Sequence, residues 1–223
     1  YMRLPISSKE SSTSYSVKRL IVVATQANCY LVMDENAGTA VIIDPGDDAE
    51  YIIDTVTRLN LRPMAILATH GHFDHVMAGF ALQHTYSIPF YLSPSDQFLL
   101  DGMEASAKHF LGVPRTDPPP IITHGLERSM VLACGSITFH IITTPGHTPG
   151  SVSIMTKDEQ NIFVGDLLFL GGSVGRTDFS YSDRAQLNHS IRKIVDLPEI
   201  TIIYPGHGDP TTVGGETLYH RGI

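Results

Sequence analysis

Histidine is the most unusual component of this 223-residue chain, which contains eleven of them. Three histidines and an aspartate fall in the segment HGHFDH, as His70, His72, Asp74 and His75. Neutral imidazoles and carboxylates are ligands that zinc prefers, and they also suit iron and manganese. In an extended loop, alternate residues project to the same side, so His70 and His72 could hold one ion while Asp74 and His75 reach a second. The segment therefore predicts a metal site.

Three later segments supply the same kinds of side chain. They are the sequences GHTPG, GD and GHG, in which His147, Asp166 and His207 are the potential ligands. A carboxylate such as that of Asp166 can bridge two ions with its two oxygens. Two ions held about 3.5 to 4 Å apart can share one water and lower its pKa enough to give a hydroxide near neutral pH. The combined pattern predicts a hydrolytic centre with two divalent metal ions.

Each of these four segments follows a predicted β-strand. Apolar, β-branched runs over residues 63–69, 137–143, 161–164 and 200–204 indicate the strands. Loops at strand ends, held by a rigid sheet, commonly carry ligand-binding side chains. We therefore expect the sheet edges to bring the segments together.

The remaining pattern divides the chain into two halves with a similar order of elements. The first half is predicted to contain strands at 17–24, 28–34, 39–44 and 63–69, a helix begun by Asp47 or Asp48, and a helix over 76–86. The connecting region is predicted to contain a strand at 88–92, a helix from Ser95 and a proline-rich loop at 112–120. The second half is predicted to contain strands at 130–134, 137–143, 151–156, 161–164 and 200–204, and a helix from Asp183. Two such halves favour an α/β (α+β) fold with two sheets face to face and helices outside, a four-layer αββα sandwich.

Composition limits the partners and the compartment. The chain has 15 Lys and Arg against 23 Asp and Glu, a formal net charge of -8, and no basic run. This argues against nucleic-acid or membrane-surface binding. We expect residues 1–16, with six serines, to be a flexible lead and residues 17–223 to be a single domain. The absence of a signal-like or membrane-spanning apolar stretch favours a cytoplasmic protein.

The two cysteines and the six histidines outside the motifs are expected to have no role at the metal site. Cys29 and Cys134 lie in apolar strand contexts, so we predict that both are buried and reduced. Six histidines outside the motifs are expected to be solvated or structural: His84, His109, His124, His140, His189 and His220.

Taken in order, the motifs resemble the metallo-β-lactamase superfamily, whose signature is HxHxDH followed by a distant His, an Asp and a final His. The resemblance spans residues 17–210 and implies an αββα sandwich with two mixed sheets and a dinuclear site at an edge between them. It also implies a division of the ligands. The first ion would be held by His70, His72 and His147, the second by Asp74, His75 and His207, and both by Asp166. Zinc is the expected metal, with iron or manganese as alternatives.

Three segments resemble the glyoxalase II-like branch, in particular its short bacterial members. They are GDLLF at 165–169, GRTDF at 175–179 and PGHG at 205–208. Class B β-lactamases lack the bridging aspartate. The resemblance implies hydrolysis of a thioester such as an S-2-hydroxyacylglutathione by a metal-bridging hydroxide, with Asp74 as metal ligand and orienting catalytic residue. Thr69 is expected to steady the ligand loop.

Recognition of glutathione is a separate question. Long glyoxalase II enzymes carry a C-terminal helical domain with basic residues, whereas this sequence ends shortly after His207. Arg176 is the first candidate for binding the substrate carboxylates, and Tyr219 and Arg221 are weaker ones. The alternative role for Arg176 is a structural salt bridge with Asp178.

The segment GRTDF also resembles the persulfide dioxygenases of the same superfamily. In those enzymes one iron is held by two histidines and a carboxylate, here His70, His147 and Asp166. Such a triad leaves open positions for oxygen and substrate. The ending PGHGDP favours the hydrolase, and a complete ligand set disfavours a non-catalytic metal-binding module. Phe179 is expected to pack against the protein rather than to contact substrate.

Overall fold

Two six-stranded sheets with helices on their outer sides make up the computed structural model, which describes residues 15–22, 24–113 and 115–222. The first sheet contains β1 (Ser16–Val22), β2 (Ala27–Asp34), β3 (Thr39–Ile43), β4 (Arg62–Leu67), β5 (Phe90–Leu92) and β6 (His124–Gly125). The second contains β7 (Val131–Cys134), β8 (Ile137–Thr143), β9 (Val152–Thr156), β10 (Asn161–Gly165), β11 (Ile202–Pro205) and β12 (Thr211–Thr212). The α-helices are α1 (Ala49–Arg58), α2 (Phe73–Val76), α3 (Gly79–Tyr86), α4 (Gln97–Asp101), α5 (Met103–Leu111), α6 (Arg184–Val195) and α7 (Val213–His220).

Both sheets are mixed. In the first, β1, β2 and β3 pair antiparallel, and β3 through β6 pair parallel. In the second, β7 through β10 pair antiparallel, β11 joins β10 in parallel, and β12 closes the edge antiparallel. The prediction of two mixed sheets is confirmed.

Three apolar clusters separate the four layers. Along β2, Leu31 packs with the helices outside the first sheet, whereas Val32 points into the middle layer. Phe163 of the second sheet packs in the same middle layer. Leu187 and Ile191 of α6 cover the outer face of the second sheet. Because both sheets are covered on both faces, the predicted αββα order is confirmed, as is the burial of Cys29 and Cys134 as free thiols.

The helices differ from the prediction in detail. The helix predicted over residues 76–86 is divided into α2 and α3, and the one predicted from Ser95 is a 3₁₀ turn followed by α4 and α5. The predicted helix starts are confirmed at Asp48 and Asp183, whose side chains accept the capping hydrogen bonds. Three elements were not predicted. The strands β6 and β12 have only two residues each, which is too short for a periodic pattern. The helix α7 has two glycines in its first turn, and glycine has a low helix propensity.

The chain is tied down from Tyr15 onward. Ser16 begins β1, and the Tyr15 hydroxyl donates to Asp158 over 2.9 Å, at the second sheet. The flexible lead expected at residues 1–16 lies, up to residue 14, outside the described residues. Within the ranges that are described, no helix is long and apolar enough to cross a membrane.

The strands that precede the motifs end at the same edge of the sandwich. Two backbone hydrogen bonds join the two sheets there. The amide of Val152 donates to the carbonyl of Thr69 over 2.8 Å, and the amide of Asn28 donates to the carbonyl of Gly206 over 2.7 Å. The backbone itself therefore holds the loop after β4 against β9 and the loop after β11 against β2, and the Gly206 amide, which donates to the carbonyl of Gly165 over 2.9 Å, joins the latter loop to the end of β10.

Candidate metal centre

The first group of potential ligands is formed by His70, His72 and His147. Nε2 of His70 lies 3.1 Å from Nδ1 of His72, and Nε2 of His147 lies 2.9 Å from the same atom. His147 comes from the loop between β8 and β9, so the group joins the two sheets. Three ring nitrogens converging at this spacing form a pocket of the size and chemistry that a divalent metal ion requires.

The second group is formed by Asp74, His75 and His207. Oδ2 of Asp74 lies 3.4 Å from Nε2 of His207 and 3.9 Å from Nε2 of His75. The expectation of one extended loop is wrong for this part, because Asp74 and His75 lie on α2.

Asp166 lies between the two groups. Its Oδ1 lies 3.4 Å from Nε2 of His75 and 3.7 Å from Nε2 of His207. Its Oδ2 lies 3.6 Å from Nε2 of His147. One oxygen therefore faces the second group while the other faces the first.

Hydrogen bonds on the far side of the rings determine which nitrogen faces the cluster. Asp44 accepts from Nδ1 of His75 with its Oδ2 at 3.2 Å and from the Thr69 hydroxyl over 2.7 Å. Since that hydroxyl donates to Asp44, it can accept from Nδ1 of His70, which lies 3.1 Å away. In the neutral form of His70 and of His75, Nε2 is therefore the nitrogen left without a proton. Thr69 occupies the supporting position expected of it, whereas nothing in the sequence indicated that Asp44 supports two ligands.

The same logic holds for His72 and His147. Nε2 of His72 lies 2.8 Å from the hydroxyl of Tyr181, which leaves Nδ1 to face the cluster. Nδ1 of His147 donates to the carbonyl of Arg176 over 2.8 Å, which leaves Nε2 to face it. Metal-binding histidines characteristically donate their second N–H in this way. Tyr181 was missed because nothing in its local sequence indicates a distant histidine partner.

The loop that carries His207 is held by side chains of β2. The Asn28 amide donates to the carbonyls of Pro205 and Gly208 over 3.0 and 2.8 Å, and the Tyr30 hydroxyl donates to that of Pro205 over 2.6 Å. A side chain at Gly206 would overlap Asp166 and His75. The glycine of this motif is therefore required by close approach rather than by turn geometry.

A buried carboxylate outside the motifs connects two ligand loops. Asp96 is 0% exposed and accepts from the amides of Gly71 and Gly150 over 2.9 and 2.7 Å. Its Oδ2 also accepts from the Thr148 hydroxyl over 2.7 Å. Burial raises the pKa of Asp96, although these donors oppose the shift. Sequence reasoning placed Asp96 in a helix and missed this role.

Burial and mutual charge set the protonation of the cluster. Burial, and then the neighbouring imidazoles, lower the pKa of His70 well below its usual range. Burial lowers the pKa of His72 to about 4. Burial acts in the same direction on His75, but the charges of Asp166 and Asp74 outweigh it and hold the pKa of that ring well above its usual value. The charges of Asp74 and Asp166 therefore lie beside the neutral rings of His70 and His72 and favour a protonated His75, whose proton a bound metal ion would displace.

Two buried atoms at the centre are left without hydrogen-bond partners among the described residues: Nε2 of His75 and Oδ1 of Asp166. An unsatisfied buried polar atom costs about 1 to 3 kcal/mol, and more when charged. A divalent cation would satisfy both atoms at once, and the surrounding donors are imidazole and carboxylate. The residues present therefore fit a metal ion.

A cavity of about 640 Å³ opens over the cluster. His72, Asp74, Asp166 and Arg176 are among its lining residues. Phe179 packs as expected, stacked on Tyr181 with the Arg176 guanidinium 4.8 Å from its ring centroid, and it also lines the cavity. Tyr219 and Arg221, the weaker candidates for binding the substrate carboxylates, do not line the cavity. Tyr219 packs on Gly172 instead.

Arg176 pairs with Asp178 over 2.9 and 2.7 Å, which is the salt bridge considered as the alternative for that residue. None of the six histidines outside the motifs belongs to a group of potential ligands within the described ranges.

Comparisons with known proteins agree with this architecture. A family model of the metallo-β-lactamase superfamily matches residues 22–207. The hydroxyacylglutathione hydrolase GloC of Haemophilus influenzae is 36% identical over 203 residues, which cover 90% of this chain and 94% of GloC.

Solved structures are also similar over most of the chain. BLEG-1, a B3 metallo-β-lactamase, is 40% identical with a TM-score of 0.84, over 92% of this chain and 98% of BLEG-1. TTHA1623, solved in a di-iron-bound form, is 36% identical with a TM-score of 0.82, over 92% of this chain and 100% of TTHA1623. The chain therefore belongs to the metallo-β-lactamase superfamily of metal-dependent hydrolases, and its similarity to GloC supports the glyoxalase II-like branch.

Proposed function

We propose that this protein is a dinuclear metal-dependent hydrolase of thioesters of the S-2-hydroxyacylglutathione type. The observation that supports this most is the position of Asp166, whose two oxygens face two separate ligand groups. A single ion bound by the first group would leave Asp74, His75 and His207 without a metal to hold. The similarity to GloC favours a thioester of glutathione as the small-molecule substrate.

The proposed ligands are those that the motifs indicated. His70, His72 and His147 would hold one ion, Asp74, His75 and His207 the other, and Asp166 both. Zinc is the first choice for this donor set, while the di-iron form of TTHA1623 makes iron a real alternative and manganese a third. When bound, the ions would supply a hydroxide near neutral pH and polarise the substrate carbonyl.

Asp74 is the proposed catalytic residue of the chain. It lines the cavity, and its Oδ2 lies 3.4 Å from Nε2 of His207. From this position the carboxylate would accept a hydrogen bond from the attacking water and direct it at the carbonyl carbon. The leaving thiolate needs little assistance from a general acid. Arg176, at the rim, would meet a substrate carboxylate.

The alternative is a mononuclear iron persulfide dioxygenase that uses His70, His147 and Asp166. Its support is the GRTDF segment, whose Arg176 carbonyl accepts from His147. The same side chains can serve both chemistries, and the second ligand group, assembled beside Asp166, favours the dinuclear hydrolase. Because BLEG-1 is described as a B3 metallo-β-lactamase, a β-lactam should be assayed in addition to the thioester and the persulfide.

Three assays on the purified protein distinguish the candidates: hydrolysis of S-lactoylglutathione, hydrolysis of a β-lactam, and oxygen uptake with glutathione persulfide. We expect hydrolysis of S-lactoylglutathione and no oxygen uptake with glutathione persulfide. Persulfide-dependent oxygen uptake without thioester or β-lactam hydrolysis would reject the hydrolase. The cytoplasmic location expected from the sequence remains part of the proposal, and the buried, free Cys29 and Cys134 suit a reducing compartment.

A further inference from the structure

The cavity over the cluster has a wall that is mainly apolar. Its volume is about 640 Å³, within the range of small-molecule binding sites. Its main apolar members are Phe73, Leu99, Phe110, Phe169, Val174 and Phe179. An apolar wall with a few convergent polar groups is the usual form of a small-molecule site, and the apolar part binds the apolar part of the ligand.

Two stacked aromatic pairs account for much of this wall. The ring centroids of Phe73 and Phe110 are 5.7 Å apart with 7° between their planes, and those of Phe179 and Tyr181 are 5.2 Å apart with 8°. The ring of Phe179 lies 5.3 Å from that of His72, so this pair adjoins a proposed metal ligand. An aromatic group on the substrate would find ring partners close to the reacting carbonyl.

Part of this aromatic surface is exposed. Phe110 is 54% exposed although it stacks on Phe73. A large apolar side chain at a cavity wall gains stability when a ligand removes it from water. Phe110 is therefore available to contribute to binding without a rearrangement of the core.

Positive charge is scarce on the same wall. Apart from histidines, the charged side chains among its described lining residues are Asp74, Asp166 and Arg176. The guanidinium of Arg176 is already paired with both oxygens of Asp178, at 2.9 and 2.7 Å. Glutathione carries two carboxylates, and Arg176, already paired, can meet one of them at most. The acyl group is therefore the larger source of selectivity on this wall.

We propose that the cavity selects 2-hydroxyacyl thioesters with an aromatic acyl group over those with a small one, the ring packing against the exposed Phe110. The inference rests on the proposed thioester hydrolysis and names its substrate class. A single methylene in an apolar pocket changes kcat/KM by about 10- to 200-fold. A phenyl in place of a methyl should therefore raise kcat/KM at least about tenfold.

The test compares S-mandeloylglutathione with S-lactoylglutathione on the metal-loaded enzyme. The two substrates share the glutathione part and differ only in phenyl against methyl on the hydroxyacyl carbon. We expect the ratio of their kcat/KM values to be about ten or more in favour of the mandeloyl ester. Phe110→Ala should bring this ratio to within about threefold of one, because it removes ring contact from the mandeloyl ester. Ile200→Ala, at an 81% exposed position outside the cavity wall, is the control and should keep the ratio.

Each outcome decides the inference. Hydrolysis of both esters with no preference for the mandeloyl group overturns it and leaves thioester hydrolysis standing. A preference that persists unchanged in Phe110→Ala overturns the assignment to this wall. Hydrolysis of neither ester overturns the proposed function, and the inference with it.

Discussion

The hydroxyl of Thr148 donates to Oδ2 of Asp96 over 2.7 Å, although 52 positions separate the two residues. The same carboxylate accepts from the amides of Gly71 and Gly150, so one buried side chain links the loop of His70 and His72 to the loop behind His147. All three of these histidines belong to the first ligand group. Asp96 is therefore a positioning residue for that group.

Asp96→Asn should weaken this link. Both oxygens of Asp96 accept hydrogen bonds, and the NH2 group that replaces one of them in asparagine cannot accept. We expect the free energy of unfolding to fall by about 1 to 3 kcal/mol. Zinc affinity should fall by about 10- to 100-fold, measured by competition with a chelator. Asp101→Asn, at an exposed position of α4, is the matched control. Lower stability with unchanged zinc affinity would mean that Asp96 supports the fold and nothing more.

Asp44→Asn tests the support of the second group. Asp44 has a φ of 51°, a conformation that asparagine tolerates, so the backbone should be retained. Loss of the charged acceptor of His75 should reduce affinity for the second metal equivalent about 10- to 100-fold, measured by calorimetric zinc titration. Asp54→Asn on the exposed face of α1 should behave as wild type. Equal zinc affinities in the two variants would show that Asp44 does not support the second ligand group.

Tyr181→Phe removes one hydroxyl and keeps the ring that stacks on Phe179. Burial raises the pKa of Tyr181 to about 12, so its hydroxyl stays neutral and can accept from Nε2 of His72. Without that acceptor, kcat/KM for S-lactoylglutathione should fall by about tenfold or more while the melting temperature changes little. Tyr51→Phe on α1 serves as the control. An unchanged rate would show that the hydrogen bond does not orient His72.

Arg176 and Asp178 form an exposed pair, so their roles can be separated by substitution. If Arg176 meets a substrate carboxylate, Arg176→Ala should raise KM for S-lactoylglutathione by a factor of about 2 to 5 with kcat retained. Asp178→Ala frees the guanidinium and should lower KM. Because both side chains are exposed, neither substitution should change the free energy of unfolding by much. Unchanged KM in both variants would leave the pair with a structural role alone.

The sequence predicted the layers and the proposed ligands for different reasons. Strand periodicity and helix caps such as Asp183 are local signals, so the four layers could be predicted from them. The ligands stand in short motifs of rare composition. Asp44, Asp96 and Tyr181 were not predicted, because each acts through a partner at least 25 positions away that no local pattern indicates. The division of one predicted helix into α2 and α3 was missed because α2 has only four residues.

Titration of metal-free protein with zinc, followed by the rate of S-lactoylglutathione hydrolysis, tests the dinuclear hydrolase most directly. Because Asp166 faces two ligand groups, we predict that activity rises until two equivalents of zinc per chain have been added. In His75→Ala the second group is incomplete, so hydrolysis should remain far below that of wild type at any zinc concentration. Full activity at one equivalent, or a His75→Ala variant that keeps most of the rate, would contradict it.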